Sequence, residues 1–378
     1  TQARQRHHSR TVREVLSNHR RNARRQRGHL RQQAAPYRRN DRRGLFAAKG
    51  TSQCRARCRT TCIERYLRGL VTGSQPRAAP HRISYTIGSR RLITVGRNVV
   101  PVAFSLTDVL AGRIPTIPSI THADGFRILS APPAAEAKLR DAMPGFLIGG
   151  REDYERHYID MTGSYDDYLA RFSGKTRSTL RRKRRKMENE SGGSLDLRLY
   201  SRPEEMDEFV HHAVPLSRIT YQARLLDAGL PESEIARAEM RELAWQDRVR
   251  AFLLFLNGEP VAYLYLPVIG ETLVYAYLGY DPAHANLSPG TVLQMAALER
   301  LFAEQRYRYF DFTEGEGAHK RLFGTRSAPC ASFLLLRPTL ANRARLSSLK
   351  AFDAAVGNAR LLAARTGAEH LLRRALRT

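Results

Sequence analysis

Between Leu273 and Phe323 the chain reads LVYAYLGYDPAHANLSPGTVLQMAALERLFAEQRYRYFDFTEGEGAHKRLF: an apolar strand, a loop, a helix opened by Ser-Pro-Gly-Thr, a second strand and an acidic glycine loop. This order constrains the fold more than any other stretch. It asks for a helix packed on a sheet, and it sets unpaired backbone N–H groups at the helix start, where a phosphate can be held. Ser288 reads as the N-cap and Pro289 as the first helical residue, with Leu293, Ala297, Leu298, Leu301 and Phe302 on the buried side. Arg308 to Thr313 reads as the returning strand.

The residues upstream supply the sheet. Arg250 to Leu256 and Pro260 to Ile269 are apolar runs meeting at Asn257-Gly258, a dipeptide suited to a type I′ hairpin because both central residues need positive φ. Gly270-Glu271 makes a second turn into Thr272 to Tyr280, so three antiparallel strands are expected in succession. Helical spacing of Tyr165, Tyr168, Leu169 and Phe172 leads into a basic helix that Gly192-Gly193 ends, and Leu195, Leu197 and Leu199 alternate as a strand. Ser201-Arg202-Pro203-Glu204 has capping-box spacing, which predicts a helix through Val214, and a further helix is expected over Glu232 to Gln246. Ser332 to Arg337 reads as a strand and Ala341 to Arg377 as one or two amphipathic helices with basic faces.

Charge divides the chain. The formal charge of +27 over 378 residues would suggest a nucleic-acid partner if spread evenly, but residues 1 to 80 hold 21 Lys+Arg against 3 Asp+Glu. The run Lys175 to Lys186 adds eight positive charges, and the remainder is close to neutral. The first 80 residues have little periodic hydrophobicity, so a disordered basic extension is expected there. It reads more readily as a solvated tail than as an arm for RNA, DNA or anionic lipid. Residues 81 to 150 hold short strand-like pieces (Ile83 to Ile87, Arg91 to Val95, Val99 to Phe104) in a small mixed region; 151 to 340 is the main domain and 341 to 378 a basic helical tail.

The four cysteines, Cys54, Cys58, Cys62 and Cys330, suggest neither a secreted disulfide framework nor a familiar zinc pattern, so no metal is expected. The most apolar stretch, Ala251 to Ile269, is broken by Asn257-Gly258-Glu259-Pro260, and the start lacks the apolar core of a signal peptide. A soluble, cytoplasmic protein is expected, with the inner-membrane surface as one place where its basic segments could make contact. His211 and His212 are adjacent and read as surface residues. Hydrolase elbows, His-Glu-x-x-His helices and a full phosphate loop are all missing from the sequence.

Three pieces, taken in order, resemble the GNAT acyltransferase superfamily, most closely the branch of BioF2-like and CelD-like exopolysaccharide proteins that are kin of the Fem peptidyltransferases. They are Tyr165-x-x-Tyr168-Leu169 followed by Lys175-Thr176-Arg177-x-x-x-Arg181-Arg182; Leu287-Ser288-Pro289-Gly290-Thr291-Val292-Leu293; and Phe310-Asp311-Phe312-Thr313-Glu314-Gly315-x-x-x-x-Lys320. The resemblance spans Tyr154 to Pro338. Two departures stand out: the phosphate loop has fewer glycines than the superfamily's, and His319 stands where this branch often has tyrosine.

The resemblance implies an α+β protein of the acyl-CoA N-acyltransferase fold, with a mostly antiparallel central sheet flanked by helices and residues 81 to 150 as part of a first GNAT-like half. It implies acetyl-CoA or another acyl-CoA as co-substrate, with Ser288, Pro289, Gly290 and Thr291 at the pyrophosphate and the strand ending at Tyr280 along the pantetheine arm. Acyl transfer to an amine or hydroxyl needs a proton acceptor and no covalent enzyme nucleophile. Asp311, Glu314, Glu316 and His319 are the candidates for catalytic work, His319 having the ordinary pKa nearest neutrality. Each also reads as an ordinary loop residue, and Asp311 as a strand-end acid capping the glycine loop. Arg177, Arg181 and Lys320 are candidate substrate contacts, suited to an anionic acceptor such as a lipid-linked or other envelope saccharide precursor, an anionic polymer or tRNA. Two alternatives stay open: a Fem-like transferase using aminoacyl-tRNA, and a non-catalytic protein that binds nucleic acid or an anionic surface.

Overall fold

A computed structural model gives the structure of the protein and describes residues 79–87, 90–220, 229–315 and 317–365. The basic extension with Cys54, Cys58 and Cys62 lies outside the described residues, as do Glu316 and the chain after residue 365. Among the described residues eleven strands form one mixed sheet: β1 (Ala79–Ile87), β2 (Arg90–Ala103), β3 (Gly125–Ala131), β4 (Leu147–Asp160), β5 (Asp196–Tyr200), β6 (Val249–Leu256), β7 (Glu259–Ile269), β8 (Thr272–Val274), β9 (Tyr277–Tyr280), β10 (Tyr309–Asp311) and β11 (Arg326–Leu336). Their order is β1-β2-β3-β11-β4-β10-β8-β7-β6-β5, with β9 paired to β7. Two pairs, β2 with β3 and β8 with β10, are parallel and the others antiparallel.

Helices cover the sheet in groups. Over β5 to β10 one face is packed by α3 (Tyr165–Ala170), α4 (Gly174–Glu190) and α7 (Pro289–Ala303), whose Leu293, Leu298 and Leu301 lie fully buried with Phe252, Leu264 and Phe310. Each such leucine contributes about 1.5–3 kcal/mol by leaving water. The opposite face is packed by α5 (Met206–Ile219) and α6 (Glu234–Trp245), where Phe209, Met240 and Leu243 meet Leu253, Tyr263 and Tyr265. At the other end α1 (Leu106–Ala111) and α2 (Ala135–Ala142) close a separate core around Phe126, Ile128 and Phe333. The short α8 (Ala318–Phe323) follows β10, and α9 (Leu340–Arg365) lays Leu349 against Val99, Leu334 and Leu336. No helix among the described residues is long and apolar enough to cross a membrane.

The hairpin at Asn257-Gly258 forms with φ of 52° and 85°, the positive values its turn requires. Elsewhere the backbone departs from the sequence expectation in instructive ways. The helix expected from Tyr165 onward is two, because Ser173 breaks it and caps the second by accepting from the Thr176 amide. The box expected at Ser201 and Glu204 shifts by one: Glu205 accepts from the amides of both Ser201 and Arg202. Ser288 makes no side-chain cap; it is left-handed at φ 56°, ψ 48°, and its carbonyl takes the Thr291 and Val292 amides instead. The pieces expected at Arg91 to Val95 and Val99 to Phe104 are one strand, β2.

Candidate functional site

The strand expected over Thr272 to Tyr280 is interrupted, and the interruption makes the site. β8 runs parallel to β10 only from Thr272↔Tyr309 to Val274↔Asp311, after which the Tyr275 amide donates to the Asp311 carbonyl at 2.9 Å. The chain then steps over Ala276 and re-enters as β9, bonded to β7 alone through Tyr265↔Tyr277 to Ala262↔Tyr280. β10 turns the other way, since the Phe312 amide donates to the His157 carbonyl on β4 at 3.1 Å. Two parallel strands thus part, leaving one edge of β9 without a strand among the described residues.

The start of α7 abuts that edge. A Cβ at Gly290 would lie 3.2 Å from Leu278 Cδ2 and 3.2 Å from Tyr280 Cδ1, so glycine permits the helix to meet β9 this closely. Pro289 has no N–H, and the Thr291 and Val292 amides turn back to Ser288, so among the described residues the Gly290 N–H has no acceptor. α4 brings two lysines to the same end: Lys183 Nζ lies 3.4 Å from Thr291 Oγ1, and Lys186 Nζ donates to the Asn286 carbonyl at 3.2 Å. Burial first, then the neighbouring Arg182 charge, pushes the Lys183 pKa down, the situation an incoming anion would relieve. These features fit a pyrophosphate: an amide without an acceptor among the described residues, a hydroxyl and two cations.

Beyond Asp311 the other bank of the gap is aromatic. Tyr275 packs against Phe310 and Phe312 with ring centroids at 5.9 and 5.5 Å, and His319 lies 6.3 Å from both Tyr275 and Phe312. His319 is exposed to solvent, with Tyr275 and Phe312 against part of its ring. Burial first, then the charges of Lys320 and His157, push its pKa down to about 4, so the imidazole is neutral at physiological pH. Lys320 Nζ donates to the Glu314 carbonyl at 2.6 Å and closes the loop. After burial itself, the Glu314 charge helps push the Tyr154 phenol up, and it contributes with Asp311 and Glu155 to a Cys330 thiol pushed up to about 12 chiefly by burial.

Asp311 is buried and fully engaged. Its carboxylate takes Arg156 Nε at 3.1 Å and Nη2 at 2.5 Å, and also accepts the Thr313 amide at 2.9 Å. Arg177 donates to the carbonyls of Ala170 and Phe172, holding the break between α3 and α4, while Arg181 is exposed on α4. The structure therefore joins Gly290, Thr291 and Tyr280 in one mouth and sets Asp311, Glu314, His319 and Lys320 along one segment, with Arg177 and Arg181 elsewhere. The motif tyrosines tie these parts together, Tyr165 through the Met295 carbonyl and Tyr168 through that of Phe323.

Sequence reasoning took Lys183 only as part of the basic run and passed over Arg156 and His157. Lys183 sits three residues after Leu180 and four before Met187, on the helix edge that those apolar residues bury. Arg156 falls midway between Tyr154 and Tyr158 on the buried register of β4, a signal that strand alternation could have supplied.

The sheet's parallel strands part beside a helix start, and helices pack on both of its faces. Residues 174–321 match the family model of the acetyltransferase (GNAT) domain. Among solved structures it is similar to the C-terminal domain of a putative lysylphosphatidylglycerol synthetase from Agrobacterium fabrum (13% identity, 60% of this chain and 72% of that one, TM-score 0.41). It is also similar to FemX (11%, 69% and 89%, 0.43) and to an aminoglycoside acetyltransferase from an uncultured soil metagenomic sample (14%, 32% and 78%, 0.25). No curated protein matches its sequence.

Proposed function

We propose that this protein moves an acetyl or related acyl group from acyl-CoA to an amine or hydroxyl acceptor, by direct attack on the thioester. The observation that carries this reading is the parting of β8/β9 from β10 beside the Gly290 amide, which offers a strand edge and an anion site within one mouth. The Gly290 N–H and Thr291 hydroxyl donate to pyrophosphate oxygens, and Lys183 and Lys186 supply the compensating charge. Backbone groups on the open edge of β9, as far as Tyr280, pair with the amides of the pantetheine arm. His319, neutral before attack, relays the proton that the acceptor loses to the CoA sulfur, which leaves with the electron pair of the broken C–S bond. Lys320, beside it, orients an anionic acceptor, and an envelope saccharide precursor fits that chemistry.

Calorimetry with acetyl-CoA tests the placement. The parent should bind, and Gly290→Asp, which puts a carboxylate on the phosphate site, should bind at least about tenfold more weakly. Equal affinity would remove the proposed site. A second reading, transfer from aminoacyl-tRNA, is favoured by Arg181, Arg182 and Arg185, exposed on α4 with no carboxylate partner among the described residues. Steeply salt-dependent tRNA binding without acetyl-CoA binding would select it.

A further inference from the structure

We propose that Arg156 is a positioning residue: from β4 it holds Asp311 at the fork of the two parting strands, and so sets where the segment Phe312 to Lys320 stands. The geometry is specific. Arg156 and Asp311 lie 155 residues apart in sequence, and their side chains are 5% and 1% exposed. The guanidinium grips both carboxylate oxygens, and its remaining nitrogen, Nη1, donates to the Phe104 carbonyl at 2.8 Å, next to Ser105, the cap of α1. Asp311 in turn acts on both of the parting strands. Its carbonyl receives the Tyr275 amide, and its carboxylate receives the amide of Thr313, a β-branched residue held at φ 61°. A threonine prefers to leave that left-handed region, and the Asp311 contact is what retains it there.

Stability alone gives a weak reason to keep this pair. Two ions lose their hydration on burial, and well-packed apolar residues of similar volume often replace such pairs without loss. What an apolar pair cannot supply is direction: a fork that fixes a carboxylate which fixes an amide. With three donors already on it, the Asp311 carboxylate is committed to the backbone of the segment that carries Glu314, His319 and Lys320. The inference deepens the proposed reading, in which that segment faces the acceptor, but its test reads the segment itself.

The experiment compares the full chain with the double variant Arg156→Met/Asp311→Leu. Thermal unfolding should stay near the parent, because the apolar pair fills the same space. Amides from Phe312 to Lys320 should nevertheless exchange about tenfold faster with solvent. In an NMR titration the His319 ring should move from the parent value of about 4 towards its ordinary value of about 6.5 as its walls loosen. A folded double variant with parental exchange and parental His319 titration overturns the proposal. If the double variant melts far below the parent, Arg156→Lys takes its place: it keeps a charge for Asp311 but cannot grip both oxygens and the Phe104 carbonyl together. Parental readouts in that variant overturn the proposal equally. Calorimetry with acetyl-CoA runs alongside; a parent that fails to bind it removes the acyl-CoA reading and leaves the exchange and titration results to decide the role of Arg156.

Discussion

The two banks of the gap are built on opposite terms. At the start of α7 polar groups are left over among the described residues: a proline without an N–H, a Gly290 amide without an acceptor, and a Lys183 amine whose nearest partner is a hydroxyl. At the end of β10 they are used up, since Asp311 accepts from two guanidinium nitrogens and an amide while its carbonyl takes another. Unsatisfied groups at the surface favour a ligand that completes them, whereas a satisfied buried ion favours the protein's own geometry. One bank keeps polar groups for a partner, and the other commits them to the fold.

That contrast is broken most severely by Arg156→Ala, which leaves Asp311 as an unpaired buried charge. A loss of about 3–5 kcal/mol is expected in denaturant titration, with Asp311→Ala equally harmful. Lys183→Met should do the reverse, leaving unfolding nearly unchanged while weakening acetyl-CoA binding about tenfold by calorimetry, the value of one charge-assisted contact. Tyr168→Phe removes the hydroxyl that holds the Phe323 carbonyl and should lower stability by about 1 kcal/mol, without altering acetyl-CoA affinity.

The smallest effect is a pH dependence. His319 is held below its ordinary value, so between about pH 6.5 and 4 the unfolded chain binds a proton that the folded protein refuses. Stability from this group is fully present above pH 6.5 and is lost as pH falls towards 4. In His319→Gln the melting temperature should decline less over that window than in the parent. The acid limb of any acyl-transfer profile that depends on His319 should fall near pH 4 rather than near 6.5.

Much of the fold could be read from periodicity. The hairpin at Asn257-Gly258, the buried side of α7 and the strand over Leu195 to Leu199 all follow from local pattern. The break at Tyr275 and Ala276 could not, because alternation is unchanged while the hydrogen bonds pass from β10 to β7. The environment of Asp311 was hidden for a related reason. Its partner lies on a strand 155 residues away, and no local window contains both. The glycine at 290 was legible as a helix opener, but its closeness to Tyr280 depends on how two elements cross.

The position of β4 between β11 and β10 also bears on synthesis. As the chain leaves the ribosome, residues 147–160 emerge long before residues 309–336, which supply both of that strand's neighbours. Until those residues follow, both margins of β4 are open to pairing with other nascent chains, and its completion depends on contacts of long sequence separation. Arg156 stands towards the end of the strand, on the side that will be covered. An inward-facing cation is a poor template for a stranger's strand, so the residue that later grips Asp311 also guards β4 while its partners are still being made.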